Sequence, residues 1–151
     1  MEPVVGTASA TISIRGLPPG PPHTYLGIAY AMLPGVRILA DASPLPALPL
    51  AMISAHVLEC ILKAYLSRSG DDRRLRQSDV RHNLEALWSL ARADGLNIQS
   101  QPPQWVTGLS QLHDWPYYLR YSTGVHGIVS PAPEPMATEL AALVVHVQGQ
   151  L

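Results

Sequence analysis

The types and spacing of Arg120 and His126, which are separated by five residues, could support a reaction. An imidazole takes up or releases a proton near neutral pH, and a guanidinium stays charged and binds phosphate oxygens in a fork. The pair could therefore transfer a proton beside a bound phosphate. Arg76 and His82 have the same spacing, so it also arises by chance. We favour a simpler interpretation, in which Arg120 forms a salt bridge or anchors the backbone and His126 is a loop histidine.

Other polar residues could contact a ligand without reacting with it. Arg81 and His82 stand near the start of a predicted helix, and Tyr121 belongs to a group with Tyr117 and Tyr118. Tyrosine rings can stack on nucleic-acid bases, but they can equally cover the bundle or line a dimer interface. We predict Arg81, His82 and Tyr121 as candidate binding residues. For His82, a surface or capping role is the default interpretation.

A run of charged residues, 71–81, contains four arginines that could contact phosphate. Three aspartates lie among these arginines. We therefore favour a solvated loop whose charges compensate each other.

Metal binding has little support in the sequence. His56 and Glu59 lie three positions apart on one helix face and could supply two ligands, but no second pair of this kind follows. We predict no metal site and no cofactor. Cys60, the single cysteine, has no evident activating base and is predicted to be packed in the core. One cysteine excludes an intrachain disulfide and fits a reducing cytoplasm.

The composition is that of one globular domain. The chain has 151 residues, of which 47% are hydrophobic and 14% charged, and its formal net charge is −1. This balance argues against a strongly basic protein that binds nucleic acid regardless of sequence. The most apolar region, residues 42–58, is short and interrupted by prolines, so we predict no membrane span. The bias toward Arg over Lys, with many Ala, Gly and Pro, suggests a bacterial source.

Five segments have the apolar spacing of helices, which predicts an all-α antiparallel bundle of four to five helices. In the second segment, Glu59 and Lys63 lie opposite the apolar face, in the order that favours an ion pair. Ser78 or Asp79 is expected to cap the third segment, and Gly95 to follow its end. The segments are residues 23–32 with a continuation at 36–40, 46 or 49 to 67, 80–91, 101–115 and 135–147.

The N-terminal region differs from the rest in its pattern. Residues 7–15 alternate strictly between apolar and polar types, which predicts a short strand or else an unstructured arm. A proline-rich run at residues 17–22 interrupts any regular structure. We therefore divide the chain into an N-terminal arm, residues 1–22, and a single helical bundle domain, residues 23–151.

Strings in the second and third segments resemble the HEPN family of helical bundles. Members often carry a helix of the type Leu-Glu-x-x-Leu-Lys-Ala, followed by a helix of the type His-Asp/Asn-Leu-x-x-Leu. Some relatives also place an Arg-Tyr pair ahead of the last helix. The resemblance covers roughly residues 46–147. The matching positions are Leu58, Glu59, Leu62, Lys63 and Ala64, then His82, Asn83, Leu84 and Leu87, then Arg120 and Tyr121.

The resemblance implies a bundle that usually dimerises and, in active members, a metal-independent ribonuclease with an Arg followed after four to six residues by a His. Arg120 and His126 match that spacing. Active members generally have a polar residue after the Arg, where this chain has Tyr121, and they carry the motif on a helix. Other members have lost the pair and act in binding or scaffolding, or accompany a nucleotidyltransferase. We expect a cytoplasmic homodimer with a non-catalytic binding or scaffolding role; the alternatives are a ribonuclease using Arg120 and His126, and an RNA or nucleotide binder without cleavage.

Overall fold

The computed structural model describes residues 20–121 and 130–151, and these residues form five α-helices. No strand occurs within the described ranges, and the predicted all-α fold is confirmed. The predicted strand at residues 7–15, and most of the arm predicted for residues 1–22, lie outside the described residues. The helices are α1 (His23–Ala40), α2 (Ala47–Leu66), α3 (Leu84–Ala93), α4 (Gln104–His113) and α5 (Pro133–Gln148), with a short 3₁₀ turn at Arg73–Arg76.

Helix α2 is the centre of the bundle, and the other four helices pack against it. Almost every side chain from Leu50 to Tyr65 is buried, including polar ones. Among the described helices, α2 is the one that is long and apolar enough to cross a membrane by length and composition, and 67% of its most apolar stretch is buried in the bundle. A helix with apolar side chains on all sides needs neighbours on all sides, and the other four helices supply them for α2.

Helix α1 runs through Pro34 instead of ending there. The predicted continuation at residues 36–40 is confirmed, and it belongs to the same helix as residues 23–32. A proline inside a helix costs about 3 kcal/mol because it removes a backbone hydrogen bond and crowds the preceding turn. Val36, just beyond it, is 1% exposed and packs in the core. Tertiary packing of this kind outweighs an unfavourable local residue.

Helix α3 begins later than predicted. Asn83 is its N-cap, and the side chain of Asn83 accepts a hydrogen bond from the backbone N–H of Ala86 at 3.0 Å. The caps expected at residues 78 and 79 are wrong, because residues 78–82 form turns. The end of the helix is as predicted: Gly95 has a φ of +102°, and the N–H of Leu96 reaches back to Ala91 O at 2.9 Å.

Candidate functional site

The carboxylate of Glu59 is the centre of a buried polar cluster. Its Oε1 atom accepts a hydrogen bond from Nζ of Lys63 at 2.7 Å. Its Oε2 atom lies 3.0 Å from Nδ1 of His82 and 2.5 Å from Nε2 of His113. The side chain of His82 is 18% exposed, and the other three are at most 8% exposed. These four residues are called the Glu59 cluster below.

The partners of Glu59 keep its carboxyl group ionised. Burial by itself raises the pKa of this group. Hydrogen bonds from His113, Lys63 and His82, together with the positive charge of Lys63, outweigh burial and hold the pKa far below its ordinary value. Glu59 is thus a buried anion with a cation on one oxygen and two imidazoles on the other, which is the condition under which a buried charge is tolerated.

Three parts of the fold position the Glu59 cluster. Two of its members lie one turn apart on α2, His113 is the last residue of α4, and His82 lies in the turn before α3. The Oγ atom of Ser110, on α4, accepts a hydrogen bond from the backbone N–H of Leu84 at 3.1 Å. This bond holds the start of α3 against α4 and therefore sets the separation of the two imidazoles.

The sequence interpretation of α2 needs correction. Glu59 and Lys63 were expected opposite the apolar face, yet both are 6% exposed. They are buried because His82 and His113 approach from other segments and supply partners that the helix itself lacks. His113 belongs to the Glu59 cluster but was not among the site residues predicted from the sequence. A histidine at a helix C-terminus is common on electrostatic grounds, and no spacing in the sequence connects His113 to Glu59.

A row of aromatic rings leads from the Glu59 cluster to the surface. The rings of His113 and His82 meet edge to face with their centroids 5.5 Å apart, and His82 meets Tyr117 in the same way at 5.9 Å. Tyr117 in turn lies 6.3 Å from Tyr121. The hydroxyl of Tyr117 also accepts a hydrogen bond from the guanidinium of Arg81 at 3.3 Å. The structure therefore gathers the three predicted binding residues, Arg81, His82 and Tyr121, around Tyr117.

Residues 115–121, called the aromatic segment below, expose large rings to solvent. Trp115 is 77% exposed, Tyr121 58% and Tyr118 37%. Arg120 lies within the segment and is exposed, and Arg81, which bonds to Tyr117, is exposed as well. Exposed apolar side chains that lie together, unlike single scattered ones, tend to mark an interaction site.

The backbone of the aromatic segment is held in an uncommon conformation. Tyr117 has a φ of +63°, in the left-handed region that a bulky side chain rarely adopts. Its N–H donates to Asp114 O at 2.8 Å, and its carbonyl accepts hydrogen bonds from the N–H groups of Arg120 at 2.9 Å and Tyr121 at 3.0 Å. Such strain costs about 1–3 kcal/mol and tends to occur where a binding site requires it.

Arg120 also borders a cavity of about 210 Å³. Two histidines, His56 and His113, line the same cavity, and its other walls are apolar. Burial lowers the pKa of His56, which therefore favours the neutral form, and the Glu59 charge opposes this shift. The partner predicted for Arg120, His126, lies outside the described residues. Among the described histidines that line the cavity, His56 is the one that is not in the Glu59 cluster.

The charged run at residues 71–81 is largely neutralised within itself. Three of its four arginines form ion pairs with neighbouring aspartates, and every side chain in these pairs is exposed except that of Asp72, which is 12% exposed. The prediction of a loop with mutually compensating charges is confirmed for these three pairs. They are Arg73 with Asp71 at 2.7 Å, Arg74 with Asp79 at 2.9 Å, and Arg76 with Asp72 at 2.8 Å.

Comparisons with known proteins identify no relative: no family model, curated protein or solved structure matches this chain.

Proposed function

We propose that this chain is a HEPN-like helical protein that binds single-stranded RNA or a nucleotide through the aromatic segment, without cleaving it. One observation carries the proposal: three exposed rings and an exposed arginine lie within residues 115–121, and the segment is bonded to a second exposed arginine, Arg81. Aromatic rings that stack on bases, next to cations that contact phosphates, are the chemistry of single-strand recognition.

The aromatic component supports a ligand with flat rings. Trp115 and Tyr121 together offer two π-faces, each more than half exposed. Stacking of a base on an aromatic side chain contributes about 1–3 kcal/mol and tolerates any base. We therefore expect binding with little sequence preference.

The cationic component supports a ligand with few phosphates. Arg81 and Arg120 are exposed, whereas the nearby arginines at positions 73, 74 and 76 are paired with aspartates. For single strands, each neutralised phosphate contributes about −0.7 to the slope of log K against log salt. Two arginines therefore predict a slope of about −1.4, which describes a short contact and not a long positively charged groove.

The setting of Arg120 supports binding without cleavage. Active members of the family generally carry the Arg on a helix and follow it with a polar residue. Here Arg120 lies in a turn between α4 and α5 and is followed by Tyr121. The chain therefore departs from the pattern that accompanies cleavage in the family.

The test is the fluorescence anisotropy of a labelled single-stranded oligouridine RNA, titrated with protein over a range of salt concentrations. We expect binding that weakens with salt, and we expect Arg120→Gln to reduce the magnitude of the salt slope by about 0.7. Arg92→Gln is the matched control, because Arg92 is an exposed arginine on α3 outside the aromatic segment. Salt-independent binding, or equal loss in both variants, contradicts the proposal.

The same samples distinguish binding from cleavage. Gel analysis of the RNA after prolonged incubation is expected to show an intact strand. If the RNA is cut and both Arg120→Gln and His126→Ala abolish cutting, the chain is a ribonuclease of the type that the family resemblance implies. That result would replace our proposal.

We further propose that the protein self-associates as a homodimer in the cytoplasm. Support comes from the family resemblance and from exposed apolar side chains at the start of α2, where Leu48 and Met52 are 44% and 41% exposed one turn apart. Sedimentation velocity at micromolar concentration is expected to show a dimer that Met52→Lys dissociates. A strict monomer in the unaltered protein contradicts this part of the proposal and leaves RNA binding to be judged separately.

A further inference from the structure

Three donor atoms of the Glu59 cluster converge on one point. One ligand atom from each of Glu59, His82 and His113 lies within 4.8 Å of the other two, and Oε2 of Glu59 lies 3.0 Å from Nδ1 of His82 and 2.5 Å from Nε2 of His113. They come from α2, from the turn before α3 and from the end of α4, so the packed bundle holds them in place before any ligand arrives.

We propose that Glu59, His82 and His113 form a binding site for a divalent transition-metal ion, and that Zn²⁺ matches it best. Two imidazoles and one carboxylate are a donor set that zinc accepts, with a fourth position left for water. The set is too poor in oxygen for calcium or magnesium, which prefer carboxylates, carbonyls and water. The proposal is independent of RNA binding.

A metal ion requires modest shifts of the donor atoms, which all lie within 4.8 Å of one another. Bonds of about 2.0–2.2 Å in a tetrahedral site separate the donor atoms by about 3.3 Å. The Glu59–His82 pair is 3.0 Å apart and needs a change of a few tenths of an ångström. The Glu59–His113 pair is 2.5 Å apart and must open by somewhat less than about 1 Å, which a turn of either side chain provides.

Lys63 and the metal ion would use different oxygens of the same carboxylate. Lys63 bonds to Oε1, so Oε2 remains directed at the two imidazoles. Outer partners of this kind orient a metal ligand, and losing one typically weakens metal affinity 10- to 100-fold. The positive charge of Lys63 opposes that of the ion, and a bound hydroxide in the fourth position would offset part of the repulsion.

The three proposed ligands differ in exposure. The side chain of His82 is 18% exposed, whereas those of Glu59 and His113 are 7% and 5% exposed. His113 also lines the cavity of about 210 Å³ beside Arg120. Three protein ligands leave the fourth position of a tetrahedral zinc ion to water, as in catalytic zinc sites.

Metal-free protein titrated with Zn²⁺, and separately with Co²⁺, tests the proposal. We expect one ion per chain, a Co²⁺ absorption spectrum of the tetrahedral type, and an X-ray absorption signature of two imidazoles. His82→Gln is expected to weaken Zn²⁺ affinity more than about 100-fold, since it removes a ligand itself and not an outer partner. His56→Gln and His146→Gln are the controls, because these histidines are outside the cluster, and both should retain full affinity.

Two results would overturn the proposal. The first is a Co²⁺ spectrum like that of the hydrated ion in the unaltered protein, which needs no variant and so does not depend on whether His82→Gln folds. The second is an equal loss of affinity in all three histidine variants, since that describes loose binding to histidines in general. Circular dichroism of each variant shows whether it is folded before its affinity is compared.

Discussion

Oε2 of Glu59 and Nε2 of His113 lie 2.5 Å apart although 54 positions separate the two residues in the chain. The contact joins the middle of the central helix α2 to the last residue of α4. His82 reaches the same oxygen from the turn before α3. One buried carboxylate therefore connects three segments of the bundle, and the stability of the fold should depend on it.

Glu59→Gln is expected to lower the free energy of unfolding by about 3–5 kcal/mol, because it leaves the ammonium of Lys63 buried without an anion. Urea denaturation followed by circular dichroism measures the change. Glu134→Gln is the matched control: Glu134 pairs with Arg37 at 2.8 Å, but both side chains are more than 40% exposed. Exposed pairs contribute about 0–1 kcal/mol. Equal losses in the two variants would mean that the Glu59 cluster has no special role in stability.

The contribution of Glu59 should disappear in acid. Its pKa is lowered in the folded protein, by partners that overcome the effect of burial. A carboxyl with a lowered pKa stabilises the fold at pH values above its unfolded pKa of about 4.3, and the stabilisation is lost as the pH falls toward the folded value. The difference in stability between the unaltered protein and Glu59→Gln should therefore shrink as the pH falls below about 5. If this difference in stability instead grows as the pH falls below about 5, the pKa of Glu59 is not lowered in the folded protein.

Much of the fold could be predicted because helix formation leaves a local pattern in the sequence. The apolar spacing of residues 135–147 is enough to locate the buried face of α5. The glycine at position 95 is enough to locate the end of α3. Helix α1 could not be predicted in full, since its passage through Pro34 depends on packing that the local sequence does not contain. The start of α3 could not be predicted either, because several residues in that region could cap a helix. Asn83 is the residue that does so.

The candidate site could be predicted only in part, for the same reason. Arg81, His82 and Tyr121 were identified from residue type, and the structure gathers them around Tyr117. Glu59 was misplaced because a charged residue on a helix is usually exposed, and only partners from distant segments make its burial tolerable. Contacts between residues that are far apart in sequence produce no regular spacing of residue types, so they could not be predicted from the sequence.

Trp115→Ala is expected to weaken RNA binding by about 1–3 kcal/mol, the usual contribution of one stacked base. Trp115 is 77% exposed, so its removal should leave stability within about 0.5 kcal/mol of the unaltered protein. Trp115→Phe keeps an aromatic face and should restore most of the affinity. Anisotropy titrations with labelled oligouridine measure the unaltered protein and the Ala, Phe and Leu variants. If Trp115→Leu binds as well as Trp115→Phe, the ring is not stacking and its contact with RNA is merely apolar.

His56 should make the fold less stable in mild acid. Burial lowers its pKa in the folded protein, the Glu59 charge opposes that shift, and the charges of His113, Arg120 and Lys63 add to it. The unfolded chain therefore binds a proton at His56 more readily, so stability falls as the pH drops through the unfolded value of about 6.5.

The variant His56→Gln lacks this titration and should lose less stability than the unaltered protein between about pH 8 and pH 5. Urea midpoints measured across that range test the prediction, and they do so above the pH at which Glu59 itself would take up a proton. His23→Gln is the control for a histidine on another helix. If His56→Gln and the unaltered protein lose stability in parallel, protonation of His56 costs the fold nothing, and burial does not lower the pKa of His56.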